Sequence, residues 1–433
     1  MPSSSERSAR RPGLLLQSRW ILAAEGLALR GGGLWIERGR IARVLRTPAE
    51  LRAFRRRTAV ELLDLGAVLV APGFVDAHAH LELGALRGRV NAGASFAEWI
   101  AALLRERSRS EQTALESAAR AGADELLAGG TTLVADVDSL GLCAHALREH
   151  PLRRIPFHEL LDARDPSRTR PALERVRAVL RTAADLGHGF SPHAPTTVSA
   201  ELAAGIAQLA RARRARVMVH WAETSEEELW LERGEGPLAR ILRQPPLRRG
   251  LELLEAARLV GPRTLLVHGN EARADERRRV ARAGASLVHC PGTHAFFDRP
   301  RFAFGAWRSA GVPLALGTDS LASNRALDMR VEIAELVRAQ PGLHPREAWL
   351  LATRGGARAL GLSGRAGELI PGAFADFAVF GDAPARAPEL WELIVHPQAP
   401  IHEVWSAGRR VFQATSRPGK APPGLNFGRR PPE

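Results

Sequence analysis

The chain has 433 residues, enough for one large catalytic domain and a smaller one with a full hydrophobic core. Its 45% apolar and 25% charged content is that of an ordinary globular protein, and no apolar run reaches bilayer-spanning length. The net charge of +14 does not point to nucleic acid: Lys420 is the only lysine, and the arginines alternate with Glu and Asp on helical stretches such as 106–120.

From the N-terminus, residues 1–11 are polar and basic, and the leucines at 14–16 stop at Gln17 and Arg19, too short a run for a secretory signal. With only Cys143 and Cys290, and no CxxC, the expected setting is a reducing cytoplasm. Residues 14–21, 27–29, 33–37 and 40–45 read as short strands separated by turns at Gly31-Gly32-Gly33 and Arg38-Gly39. Then the rhythm changes. Eight apolar strands, 69–80, 131–138, 155–162, 189–195, 216–223, 264–270, 286–291 and 312–319, alternate with helical patterns such as 96–127, 171–186 and 201–213. Eight strands with intervening helices are the arithmetic of an α/β protein built as a (β/α)8 TIM barrel. A doubly wound sheet is the runner-up, but no GxGxxG follows the first strand. After a helix around 344–360, strands return at 367–370, 376–380 and 401–411. The expected division is a barrel over 71–361, a small composite β-sandwich from 13–70 plus 362–414, and flexible tails at 1–12 and 415–433.

Polar residues fall at the C-terminal ends of these strands, where barrel enzymes build their sites. His78 and His80 end the first strand; in a strand, residues two apart face the same side, so the two imidazoles can form half of a zinc-type site. His193, His220 with Glu223, His268, His289 and Asp319 mark later strands. Core packing explains one or two such histidines, but six on five strands would each need a separate buried partner.

The segments Pro-Gly-Phe-Val-Asp-Ala-His-Ala-His-Leu, Val-His-Trp-Ala-Glu-Thr, His-Cys-Pro and Leu-Gly-Thr-Asp-Ser-Leu-Ala-Ser-Asn together resemble the amidohydrolase superfamily. More narrowly they resemble its aminohydrolase branch, which includes guanine, S-adenosylhomocysteine and aminofutalosine deaminases and triazine hydrolases. The likeness runs from about Leu14 to Val411, since Pro-Gly-Ala-Phe-Ala-Asp-Phe-Ala-Val-Phe resembles that family's returning β-domain. It implies that His78, His80, His220 and Asp319 hold one divalent metal ion; three imidazoles and a carboxylate suit Zn²⁺, with Fe²⁺ as the alternative. It implies that Glu223 shuttles protons, that Asp319 also accepts one from the attacking water, and that His268 orients that water from the second sphere or is a fourth nitrogen ligand. His193 matches a substrate-contacting histidine, or is structural. His289, Ser320, Glu82 and Arg87 are candidate substrate contacts, with a salt-bridged loop the competing reading for Glu82 and Arg87. Asp319 could instead cap a helix, and Glu223 could be a carboxylate at a helix start.

The barrel contains no lysine, which excludes a two-metal site bridged by a carboxylated lysine. The sequence departs from the family after His-Cys-Pro, where Ser-Asn is common but Gly292-Thr293-His294-Ala295-Phe296-Phe297 stands here, a loop that bears on the substrate rather than the metal. The expected activity is a mononuclear metal-dependent aminohydrolase that deaminates a purine nucleoside-like N-heterocycle, such as aminofutalosine or an adenosine derivative, through metal-bound hydroxide. The alternatives are amide or C–Cl hydrolysis at the same site and a non-catalytic scaffold. The expected partner is a small molecule, with no nucleic acid or membrane, and a homodimer is an open option.

Overall fold

The computed structural model describes residues 13–415, apart from residues 59, 61, 140, 182 and 183. The expected tails therefore lie outside the described residues, except for Thr415. The chain opens with β1 (Leu14–Gln17), β2 (Trp20–Leu22), β3 (Ala28–Arg30), β4 (Gly33–Glu37), β5 (Arg40–Leu45), β6 (Leu62–Asp64) and β7 (Leu69–Pro72). Eight further strands follow: β8 (Phe74–Ala79), β9 (Thr131–Asp138), β10 (Arg153–Leu160), β11 (Gly189–Pro192), β12 (Val217–Trp221), β13 (Thr264–His268), β14 (Ser286–His289) and β15 (Leu314–Leu316). The last are β16 (Phe377–Phe380), β17 (Ile401–Ser406) and β18 (Arg409–Gln413).

Strands β8 to β15 form one sheet in strict sequence order, every neighbour parallel. A parallel bridge between Ala79 and Asp319 brings the first and last strands together and closes it as a barrel. All eight strands expected from sequence are present, and the helices between them cover the outside. Val75, Leu133, Ala135, Ile155, Phe157, Met218, Leu265, Val267 and Val288 fill the interior.

The barrel's N-terminal end is stoppered. Ala357, Ala359, Leu360 and Leu362 join the same interior cluster. They follow a helix, Pro345–Leu350, that passes through a π-helical turn at Leu351–Gly355 before Gly356–Ala359. Close approach explains the glycines there: a Cβ at Gly355 would meet the Leu314 carbonyl oxygen at 2.7 Å, and one at Gly356 the Val75 carbonyl oxygen at 2.6 Å.

The remaining strands make two sheets, in the orders β5-β4-β1-β6 and β18-β17-β16-β7-β2-β3. The second takes strands from both ends of the chain. Leu16, Leu34, Ile36 and Ile41 of the first sheet pack against Ile21, Val70, Phe377, Val379 and Trp405 of the second, which is a small sandwich.

Several sequence boundaries differ. The run 69–80 is two strands: β7 pairs with β16 in the sandwich, and β8 begins the barrel after Gly73, where a Cβ would lie 2.2 Å from the Thr132 hydroxyl oxygen. Residues 14–21 likewise divide into β1 and β2 in different sheets, and 401–411 into the hairpin β17–β18. The helix expected over 96–127 is two, Phe96–Ser108 and Gln112–Ala128. Residues 367–370 form no strand; Leu369 alone is buried there, in the sandwich core.

Gly356→Ala is expected to destabilise the chain by about 1–3 kcal/mol through overpacking, read as a lower urea midpoint. Gly305→Ala, whose Cβ meets nothing within 4 Å, is expected to leave the midpoint unchanged or raise it.

Candidate functional site

The closing seam of the barrel sets the site. Asp76, fully buried on β8, accepts hydrogen bonds from the Thr318 backbone N–H at 3.1 Å, the Thr318 hydroxyl at 2.6 Å and the His78 N–H at 3.1 Å. Burial pushes its carboxyl up to about 7 against those bonds. The Asp319 N–H donates to the His78 carbonyl (2.9 Å), and the His80 N–H donates to the Asp319 carbonyl (3.0 Å). The β8–β9 register slips between Asp76 and Ala79, so His78 sits in a bulge rather than a regular strand. The two imidazoles still converge, with ring centroids 4.9 Å apart. His268, the last residue of β13, and Asp319, three residues past β15, both have left-handed backbones, φ 73° and 58°, that break the extended run at the mouth.

Around this seam the buried side chains crowd together. Ligand atoms of His78, His80 and His220 lie within 4.8 Å of one another, as do those of His78, His268 and Asp319. His80 Nε2 faces His220 Nε2 at 3.2 Å, and Asp319 Oδ1 lies 3.5 Å from His78 Nε2 and 3.8 Å from His80 Nε2. Their outer nitrogens have acceptors: His220 Nδ1 donates to the His193 carbonyl at 2.8 Å, and His78 Nδ1 points at Met218 Sδ, 3.0 Å away. Those tautomers leave the inner Nε2 lone pairs bare. His78 Nε2 is buried without a hydrogen-bond partner. Burial lowers the pKa of His78 and, more strongly, that of His80, so both imidazoles are neutral at pH 7. Burial alone would raise Asp319, but the imidazoles around it hold it well below the usual carboxylate range. The bare Nε2 lone pairs of His78 and His220, with His80 Nε2 3.2 Å from that of His220 and an ionised carboxylate alongside, are an arrangement that a cation between them would satisfy. This donor set fits one divalent ion.

Beside it, Glu223 Oε2 lies 3.6 Å from His268 Nε2, while Oε1 accepts from Arg299 Nη2 at 2.9 Å. Burial raises Glu223, but His268 and Arg299 outweigh it and hold its carboxyl below the usual range. Burial brings His268 down to about 4. Arg299 also donates to the Glu223 carbonyl at 2.8 Å and lies over Phe297, so the atypical loop after His-Cys-Pro reaches the acid directly.

The other candidates spread out. His193 is beside His220, ring centroids 5.1 Å apart. Ser320 is buried, its hydroxyl 3.2 Å from that of Ser323, which in turn reaches Asp319 Oδ2 at 3.4 Å. His289 is buried and stacks on Phe302 at 3.8 Å. Glu82 is buried one layer back, where Oε1 accepts from Arg107 at 2.8 Å and from the Ser139 hydroxyl. Arg87 pairs with Glu125 and is half exposed. Sequence reasoning passed over Asp76, Met218, Arg299 and Glu159. Only Glu159 carried a periodic signal, since it continues the inward alternation of Ile155 and Phe157.

A model of the amidohydrolase family matches residues 69–411. Over 336 residues, 72% of this chain and 78% of the relative, the sequence is 32% identical to aminodeoxyfutalosine deaminase of Deinococcus radiodurans. It is 27% identical over 423 residues to 5-methylthioadenosine/S-adenosylhomocysteine deaminase of Thermococcus kodakarensis, covering 94% of this chain and 93% of that one. The crystal structure of an adenosine deaminase from Xanthomonas campestris with bound zinc superposes with a TM-score of 0.75 at 24% identity, over 92% of each chain.

Asp76→Ala is expected to strand the buried Thr318 and His78 donors at a cost of about 1–3 kcal/mol. Amide hydrogen exchange should then speed up at Thr318 and Asp319 before it does elsewhere in the barrel.

Proposed function

We propose that this chain, which belongs to the amidohydrolase family, is a mononuclear metal-dependent aminohydrolase that replaces the amino group of an N-heterocycle by oxygen and releases ammonia. The observation that carries the reading is the meeting of His78, His80, His220 and Asp319 at one point with the Glu223–His268 pair beside it. Those four residues would hold the ion; when bound, it supplies a water acidified enough to act as a nucleophile at neutral pH. Zinc is the assigned metal, because three imidazoles and a carboxylate match it and the Xanthomonas deaminase holds it.

The chain's own groups do the rest. Glu223 Oε2 takes the first proton of the attacking water and gives it to the ring nitrogen. Arg299 fixes the other carboxylate oxygen, so the acid presents a single oxygen to the substrate. His268, neutral and buried, can hydrogen-bond the oxygen added to the heterocycle. Asp319, kept ionised, takes the second proton, the one left on the added oxygen, and gives it to the departing amine. Deaminase relatives whose names include adenosine and futalosine derivatives support a purine nucleoside-like substrate.

Two outcomes test the reading. Glu223→Gln should lose about 10²- to 10⁴-fold in ammonia release from aminopurine nucleosides while keeping the metal content of the wild type. Full activity in that variant removes the proton-shuttle role, and chloride release from chlorinated triazines without ammonia release favours a C–Cl hydrolase. His220→Ala should bind far less zinc by elemental analysis, whatever its activity; an unchanged zinc content would remove His220 from the ligand set.

A further inference from the structure

Behind the histidine centre lies a second group of ligand-type side chains that the proposed chemistry does not use. Glu82 comes from the turn Leu81–Leu86, Asp138 is the last residue of β9, and Cys143 belongs to the short helix Leu142–Ala146. Each brings an atom to within 4.8 Å of the other two. All three residues are sealed from solvent, with 2% exposure or less. Each carboxylate gives one oxygen to an arginine: Glu82 Oε1 accepts from Arg107 Nη2 at 2.8 Å, and Asp138 Oδ2 accepts from Arg154 Nη2 at 2.6 Å. The other oxygens, Glu82 Oε2 and Asp138 Oδ1, are buried with no hydrogen-bond partner, so the Cys143 thiol donates to neither. Carboxylate oxygens left unpaired away from water are costly, and something must meet them.

The charges are uneven as well. Asp136 Oδ2 also accepts from Arg154, at 2.6 Å through Nε. Three carboxylates, Glu82, Asp136 and Asp138, thus share two guanidiniums, and one negative charge is left over. A divalent ion makes the group neutral if Cys143 ionises on binding. The S–H bond breaks, its proton leaves to solvent, and a sulfur–metal bond forms; the two positive charges then meet the new thiolate and the surplus carboxylate. A thiolate ligand selects zinc over magnesium or calcium. Ser139, whose hydroxyl donates to Glu82 Oε1, stands beside the group as a fourth oxygen.

We propose that Glu82, Asp138 and Cys143 hold a second, structural zinc ion that pins the turn after His80 to the end of β9. This ion is separate from that of the histidine centre, which stays mononuclear, and the inference does not depend on the deaminase reading.

The test is a Co²⁺ titration of the full chain after a chelator has stripped it. The histidine centre has no thiolate, so a thiolate-to-cobalt charge-transfer band reports the second site alone. The wild type should take two equivalents, with the band rising alongside one of them. His220→Ala should take one equivalent and keep the band, whereas Cys143→Ser should take one and lose it. A single equivalent without the band in the wild type would overturn the site, since a proton shared by Glu82 and Asp138 then satisfies those oxygens. A band that survives Cys143→Ser would overturn it too, because Cys290 would be the ligand. A second measurement leaves the cysteine untouched. Zinc should raise the Tm of His220→Ala but not that of the same chain carrying Asp138→Asn, which still offers Arg154 an acceptor; an equal rise in both removes Asp138 and the site with it.

Discussion

The molecule turns on the hydrogen-bonded seam between its first and last barrel strands. Asp76 grips Thr318 through its backbone and side chain, and the two backbone bonds beside it tie Asp319 to His78 and His80. Residues about 240 positions apart in sequence thus share one rigid joint. A parallel barrel has no edge to fray once this joint forms, so the donor atoms are placed by backbone bonds rather than by mobile loops. Met218 and the His193 carbonyl then fix the ring orientations from behind.

Burial sets the charge states around that joint. Desolvation drives His78, His80 and His268 neutral, while the imidazoles and Arg299 keep Asp319 and Glu223 ionised despite burial. The acid and its neighbours are therefore poised in opposite senses within a few ångströms. Arg299 joins the acid to the atypical loop, since it holds the Glu223 carboxylate and lies over Phe297.

Much of this was legible in the chain. The eight strands could be read because each is a compact apolar run, and the histidines stood out because polar residues interrupt those runs at the same end. The break between β7 and β8 was hidden because apolar residues continue through Pro72 and Gly73, and only pairing partners distinguish a sandwich strand from a barrel strand. The bulge at His78 is a register effect with no local signature. Arg299 was invisible for another reason: among dozens of arginines, nothing in its neighbourhood marks one that folds back onto an acid 76 residues earlier. Glu82 and Arg87 looked alike in sequence, but Glu82 is buried against Arg107 whereas Arg87 sits on the surface with Glu125.

The π-helical turn and the glycines that let it press against Val75 and Leu314 shut the end of the barrel opposite the histidines. Whatever enters must leave the way it came. Under the proposed deamination, the larger product therefore stands between ammonia and solvent, and turnover becomes a matter of queueing: the small fragment waits until the larger one clears the threshold.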